Sequence, residues 1–301
     1  MKKFLLLLLS TCLYLVGSAQ IKVLDGERVY TSVEDALQAE RATLLNLRDK
    51  HMFHVDTNIK QLQELRFLSL HRNNFESLDE SIFELVNLED LNLRTNQLVT
   101  IPSLIGNLTH LERLNLAKNN LAKLPAEMGQ LENLKYLHLA INNLITFPEE
   151  MSGCKKLEVV DLQNNQFAYL PSSLAKLKKL KKLDLSNNQF HEFDIDFTQI
   201  KNLEELNLEN NFIQELPNQI GEMKHLTTLM LSNNQIESIP DELLSMKKLE
   251  VLLLSNNKLQ KLPEDLSRMK RLKTLIAINN SFSDEEKARI KSALPNCKVY
   301  L

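Results

Sequence analysis

The sequence predicts an α/β repeat solenoid, with short parallel strands stacked on one side and short helices or 3-10 turns on the other. Three observations support this. A leucine recurs every 23 residues from Leu65 to Leu272, an asparagine recurs at the same interval from Asn73 to Asn280, and seven of the eight prolines share one repeat position. Because a fixed period of about 20–50 residues is typical of stacked repeats, we expect one elongated domain rather than several globular ones.

Residues 1–19 are predicted to be a signal peptide. Lys2 and Lys3 precede an apolar run from Phe4 to Val16, and small residues stand at 17 and 19 before the expected cleavage site. Two alternatives stay open, an uncleaved anchor and a lipoprotein signal that ends at Cys12. The run is shorter than the roughly 20 residues of a spanning helix. We therefore expect export to the periplasm, the cell surface or the medium, with no integral membrane segment after cleavage.

Residues 20–64 are predicted to form an N-terminal cap. Asp25-Gly26 indicates a hairpin turn, and Thr31 with Glu34 forms a capping box that opens a helix ending near residue 41. A degenerate repeat begins at about Ala42, with Lys50 where the asparagine should stand. Such an imperfect repeat is typical of the end of a solenoid.

Residues 65–282 form the repeats proper, each with the pattern LxxLxLxxNxLxxLPxxLxxLxx. Alternating apolar residues such as Leu114 and Leu116 predict a strand with one buried face. The asparagine amide can satisfy backbone groups where each strand ends, which predicts a ladder of stacked side chains. Its members are Asn73, Asn96, Asn119, Asn142, Asn165, Asn188, Asn211, Asn234, Asn257 and Asn280.

Residues 283–301 are predicted to be a C-terminal cap. Ser283 and Glu286 form a second capping box, the helix that it opens closes at Leu294-Pro295, and residues 297–301 add a last strand. Both ends of the stack are then covered by non-repeat structure.

This repeat resembles the leucine-rich-repeat family in its 23-residue, exported bacterial form, over about residues 42–301. The resemblance implies a leucine-rich-repeat horseshoe with a parallel concave sheet. It also implies that a partner lies on the strand side, against the variable residues between and after the leucines. The expected function is a secreted or periplasmic scaffold that binds a protein or peptide.

Composition and motifs argue against other functions. The formal net charge is −3, which does not favour nucleic-acid binding. Nucleophile-elbow, zinc-protease, phosphate-loop and paired CxxC motifs are missing from the sequence. His51 and His54 form the only close histidine pair and lack further ligands at suitable spacing. We therefore expect no enzyme activity, no cofactor and no metal.

Variable positions of the strands predict the partner-binding surface. Aromatic and apolar side chains rimmed by charge are typical of interaction sites. The predicted contacts are Phe67, Arg94, Arg113, Tyr136, His138 and Val159. A second apolar cluster lies nearer the C-terminus and is either exposed or covered by the last strand or a neighbouring molecule; it comprises Met230, Val251, Leu253, Ile276 and Ile278.

A row of further asparagines suggests an alternative function. These side chains are expected on the same face and could bind sugar hydroxyls in an adhesion or glycan-binding module, or a peptide backbone. They could equally reflect duplication of one repeat, and the sequence does not separate these explanations. The row comprises Asn164, Asn187, Asn210, Asn233, Asn256 and Asn279.

Overall fold

A computed structural model describes residues 27–193 and 195–301 and contains one parallel sheet. Its 13 strands stack in sequence order. The predicted solenoid is therefore confirmed. The strands are β1 Val29–Tyr30, β2 Leu44–Asn46, β3 Phe67–Ser69, β4 Asp90–Asn92, β5 Arg113–Asn115, β6 Tyr136–His138, β7 Val159–Asp161, β8 Lys182–Asp184, β9 Glu205–Asn207, β10 Thr228–Met230, β11 Val251–Leu253, β12 Thr274–Ile276 and β13 Lys298–Tyr300.

Strand register follows the 23-residue period. Leu114 pairs with Leu91 and Leu137, the same position of the adjacent repeats. These central residues are fully buried, whereas the residues on either side of them point to the opposite face. One continuous apolar core thus runs along the stack beneath the sheet.

Short 3-10 helices carry the chain back from one strand to the next. A proline with extended backbone precedes most of them, and an apolar side chain such as Met128 then turns into the core. The return segments pack tightly, since a Cβ built on Gly129 would overlap the carbonyl oxygen of Glu150. The helices are Thr57–Gln61, Glu80–Glu84, Ser103–Asn107, Ala126–Gln130, Glu149–Gly153, Ser172–Lys176, Ile195–Gln199, Asn218–Glu222, Asp241–Ser245 and Leu266–Arg268.

The buried asparagines form hydrogen bonds between consecutive repeats. Asn165 Nδ2 donates to the carbonyls of Leu139 and Leu162, each at 3.0 Å, and Asn165 Oδ1 accepts from the Leu144 amide at 3.0 Å. Asn73 makes the same kind of contact with the degenerate repeat, where its Oδ1 accepts from the amide of Lys50. These side chains satisfy backbone groups that would otherwise be buried without partners.

The N-terminal cap differs from the sequence expectation. Ser32, rather than Thr31, caps helix α1 and accepts from the Asp35 amide at 3.1 Å. Helix α1 spans Val33–Leu37 and stops short of residue 41, because the chain must turn back to bury Ala42 and enter β2. The Asp25-Gly26 turn and the signal segment lie outside the described residues, and β1 pairs with β2 in parallel.

The C-terminal cap is built around a partly buried ion pair. Ser283 Oγ accepts from the Glu286 amide at the start of helix α2, Asp284–Ala293. The Glu286 carboxylate binds the guanidinium of Arg289 at 2.7 Å and the amide of Leu262 at 2.9 Å. Strand β13 then pairs with β12. No helix among the described residues is long and apolar enough to cross a membrane.

Candidate interaction surface

The first and third residues of each strand face away from the leucine core, and we call this side of the sheet the concave face. In β6, Leu137 is fully buried, whereas Tyr136 and His138 are half-buried on that side. Because each strand contributes only two such positions, the concave face can be described by following these two positions along the stack. It divides into two surfaces with different chemistry.

The central patch, defined as Arg113, Tyr136, His138, Ile141 and Val159, gathers four of the six predicted contacts. Arg113, Tyr136 and Val159 lie in register on adjacent strands. The Arg113 guanidinium carbon lies 5.2 Å from the centroid of the Tyr136 ring, a cation–π arrangement. Nε of Arg113 is buried and lacks a hydrogen-bond partner among the described residues. The patch therefore presents an aromatic ring stacked against a guanidinium group.

Acidic residues border the central patch on both sides. Asp90 pairs in register with Arg113, and Asp161 lies beside His138 with 3.8 Å between the carboxylate and the imidazole Nδ1. Burial raises the pKa of Asp90 to about 6, while the nearby charges of Arg113 and His138 lower it by less. Asp90 therefore titrates within a mildly acidic pH range.

Two predicted contacts stand apart from the central patch. The expectation that Phe67 is exposed is wrong, because only 6% of its surface is accessible. The N-terminal cap packs at this end of the sheet, where Glu27 contacts Thr43 and Arg66, the residues directly before β2 and β3. Arg94 lies beyond the end of β4 in a different repeat position.

One backbone position after each strand is left-handed throughout the repeats, with φ between 53° and 59°. Asparagine tolerates this conformation well, so the six-residue asparagine row matches its backbone. The earlier repeats place other residues there, and Ile141 combines a branched Cβ with φ 59° and 44% exposure. For such a side chain this conformation is a genuine outlier. The position holds Arg72, Thr95, Lys118, Ile141, Asn164, Asn187, Asn210, Asn233, Asn256 and Asn279.

The second surface is a groove of about 390 Å³ that runs across β7 to β12, and we call it the C-terminal groove. Met230, Leu253 and Ile276 from the second apolar cluster line it. Strand β13 extends the sheet beside β12 rather than lying over these residues. The alternative in which the last strand covers the cluster is therefore wrong.

Acidic residues of the C-terminal groove were missed at the sequence level. Asp161, Asp184 and Glu209 line the groove. Burial raises the pKa of Asp184 and Glu209, and the charge of Asp184 raises that of Glu209 further. Tabulating the two concave positions along the stack would have identified both aspartates. In the described part of the chain, no group of three or more histidine, cysteine or acidic side chains is arranged to hold a metal ion.

Two family models match most of the repeat region. The model described as "Leucine rich repeat" matches residues 63–121, 109–167 and 224–282. The model described as "Leucine Rich repeats (2 copies)" matches residues 155–197 and 201–245. No curated protein matches the chain.

Solved structures with the same fold come from bacteria and from plants. A leucine-rich-repeat protein of Leptospira interrogans is 32% identical with a TM-score of 0.61, and the match covers 86% of this chain and 84% of that one. An internalin of Listeria monocytogenes is 20% identical with a TM-score of 0.69, covering 95% and 85%. The ectodomain of a plant membrane receptor kinase from Arabidopsis thaliana, solved with Casparian strip integrity factor 2, is 27% identical with a TM-score of 0.58, covering 86% and 38%.

Proposed function

Because the chain belongs to the leucine-rich-repeat family, we propose that it is an exported scaffold whose concave face binds a protein or peptide, with the central patch as the main contact. The proposal involves no cofactor and no catalytic step. It is consistent with the Arabidopsis ectodomain that was solved together with a second protein.

The observation that carries the proposal is the strained position of Ile141. The chain retains an exposed, branched side chain in a left-handed conformation where later repeats use asparagine. Residues in unfavoured backbone regions cost about 1–3 kcal/mol and cluster at binding sites. Ile141 belongs to the repeat that also contributes Tyr136 and His138. We infer that this side chain is retained for contact with a partner.

The composition of the central patch also favours a protein partner. Tyrosine and arginine are enriched among residues that dominate binding energy. Arg113 already lies against the Tyr136 ring, so that the two side chains form one contact surface. Val159 supplies apolar area beside them.

The asparagine row gives less support to the glycan alternative. Its left-handed backbone is sufficient reason for asparagine, and several of its amides bond to one another, with Asn256 Nδ2 donating to Asn233 Oδ1 at 2.6 Å. A glycan-binding module would retain polysaccharide after loss of Tyr136. Binding of that kind would favour the alternative.

Partner capture with matched variants tests the proposal. One variant carries Tyr136→Ala, Val159→Ala and Arg113→Glu on the concave face. The control carries Tyr169→Ala, Val99→Ala and Arg271→Glu, all exposed outside this face. We expect the first variant to lose at least about 90% of recovered partner, since hot-spot losses reach 2 kcal/mol or more each, and the control to retain it. Equal recovery by both variants would contradict the proposed site.

Export is tested separately by N-terminal sequencing of the mature protein. Cleavage after Ala19 leaves Gln20 as the first residue. A mature chain beginning at lipidated Cys12, or one retaining Met1 in the membrane fraction, would contradict the proposed processing.

A further inference from the structure

We propose that the C-terminal groove binds an extended peptide segment that carries one basic side chain and, four residues away, one apolar side chain. The inference rests on the proposed protein-binding function and names the chemistry of the segment. It concerns a surface separate from the central patch, apart from the shared residue Val159 at the edge.

The apolar half of the groove is formed by consecutive strands. Met230, Leu253 and Ile276 occupy the same position of β10, β11 and β12 and lie in register. Val251 lies beside them at the first position of β11. Met230, Val251 and Ile276 are half-buried and Leu253 lies buried among them, on a sheet face where solvated residues normally stand. A partner's aliphatic or aromatic side chain would bury this surface.

The acidic half lies at the opposite end of the groove. Asp184 is held in place, because its Oδ1 accepts from the amide and hydroxyl of Ser186 and its Oδ2 from Asn207 Nδ2. Among the described residues no ion pair joins Asp184 or Glu209 to a basic side chain. Lys182, the basic residue that lines the groove, is engaged by Glu205 at 2.8 Å.

These carboxylates therefore lack a compensating positive charge. Burial raises the pKa of both Asp184 and Glu209, and the repulsion between them acts in the same direction for Glu209. A guanidinium or ammonium group placed between them would offset the burial and the repulsion together. The two halves thus select a cation at one end and an apolar group at the other.

The strand spacing sets the distance between the two groups. Adjacent strands lie about 4.8 Å apart, so β8 and β10 are about 10 Å apart and β8 and β11 about 14 Å. An extended segment advances about 3.3 Å per residue. A segment lying across the strands therefore reaches from Asp184 to β11, where Val251 and Leu253 line the groove, in about four residues. Because alternate side chains of an extended segment share a face, a separation of four points both side chains into the groove.

Charge complementarity favours a peptide over other occupants. Anionic lipid headgroups and phosphates would be repelled by Asp161, Asp184 and Glu209. A second copy of the chain carries a net charge of −3 and would also bring like charge to this face. An extended basic segment meets neither difficulty.

Fluorescence anisotropy with synthetic octapeptides tests the inference. The peptides hold one arginine and one leucine, two to six residues apart, in a serine and threonine background. Matched peptides replace arginine by glutamate or leucine by serine. We expect the strongest binding at a separation of four. Each replacement should weaken binding at least about tenfold, because a hydrogen bond to a charged group and the burial of a leucine side chain each contribute roughly that factor.

Variants of the protein complete the test. The double change Asp184→Asn and Glu209→Gln keeps the size of both side chains and should weaken arginine peptides at least about tenfold. The change Ile276→Ser should weaken the leucine dependence. The control pair Glu149→Gln and Glu150→Gln, exposed on a return segment, should leave binding unchanged. Thermal melting of each variant verifies folding.

Several results would overturn the inference. These are equal binding of arginine and glutamate peptides, no dependence on separation, or sedimentation showing that copies of the chain occupy the groove. The absence of any peptide binding at millimolar concentration, while the central patch still captures a partner, would overturn this inference alone. Loss of capture through the central patch would instead contradict the proposed function.

Discussion

The early and late repeats share one backbone but differ in the side chains placed on its left-handed position. From Asn164 onward, six successive repeats use asparagine, with φ of 53–58°. The four earlier ones hold Arg72, Thr95, Lys118 and Ile141 at φ of 55–59°. Because the conformation is the same, the difference does not arise from the fold. The late repeats hold the residue that this backbone favours. The early repeats depart from it, and we attribute that departure to the proposed partner binding.

The buried ladder provides the largest expected effect and should be common to both regions. Asn119→Ala in an early repeat leaves the Leu98 amide without a bond, and Asn165→Ala in a late one does the same to the Leu144 amide. Each change also removes one of the two asparagine bonds to each of two buried carbonyls. We expect each variant to lose about 1–3 kcal/mol in free energy of unfolding, the cost of unsatisfied buried groups. Urea denaturation measures it. A loss of stability in only one of the two variants would contradict the comparison, because the ladder would then not stabilise both regions alike.

The pH dependence of stability should contain a contribution from Asp90, which lies in the early region. The raised pKa of Asp90, about 6 against 3.8 in the unfolded chain, means that the folded state binds more protons between these values. Stability from this group is therefore fully present below pH 4 and falls as pH rises through 6, by about 3 kcal/mol in all. Asp90→Asn should remove that part of the slope. An unchanged profile in this variant would show that Asp90 is not desolvated.

Moving the early residue into a late repeat should have a smaller effect. Asn210→Ile places a branched Cβ at φ 55°. We expect a loss of about 1–2 kcal/mol, the cost of the left-handed conformation for such a residue. Thermal unfolding measures it, with Asn210→Gly as the control, which should change stability little. No loss would indicate that the backbone readjusts, and Ile141 would then not be strained.

Much of the fold could be predicted because each repeat supplies the same evidence again. The buried leucines, the ladder and the strand register all follow from the 23-residue period. Packing at the N-terminal end did not, since Phe67 occupies a variable position like that of Tyr136 but is buried beside the N-terminal cap, in register with buried Leu44. Thr31 and Ser32 can both cap a helix, and in the structure Ser32 is the residue that does so.

The two surfaces proposed to bind partners were only partly predictable. Register alone placed Arg113, Tyr136 and Val159 together. The significance of Ile141 depends on its left-handed backbone φ. Asparagine at the same position of most repeats suggests this conformation but does not establish it. The acidic character of the C-terminal groove depends on which charges pair across repeats. Lys182 pairs with Glu205, and this leaves Asp184 without a basic partner.

The substitution Ile141→Asn tests the central claim most directly, because it separates the demand of the fold from the demand of binding. We expect thermal stability to rise by about 1 kcal/mol, as the left-handed strain is relieved. We expect capture of the partner to fall at the same time, since an exposed apolar contact is lost. A variant that is more stable and binds the partner as well as the original protein would contradict the account.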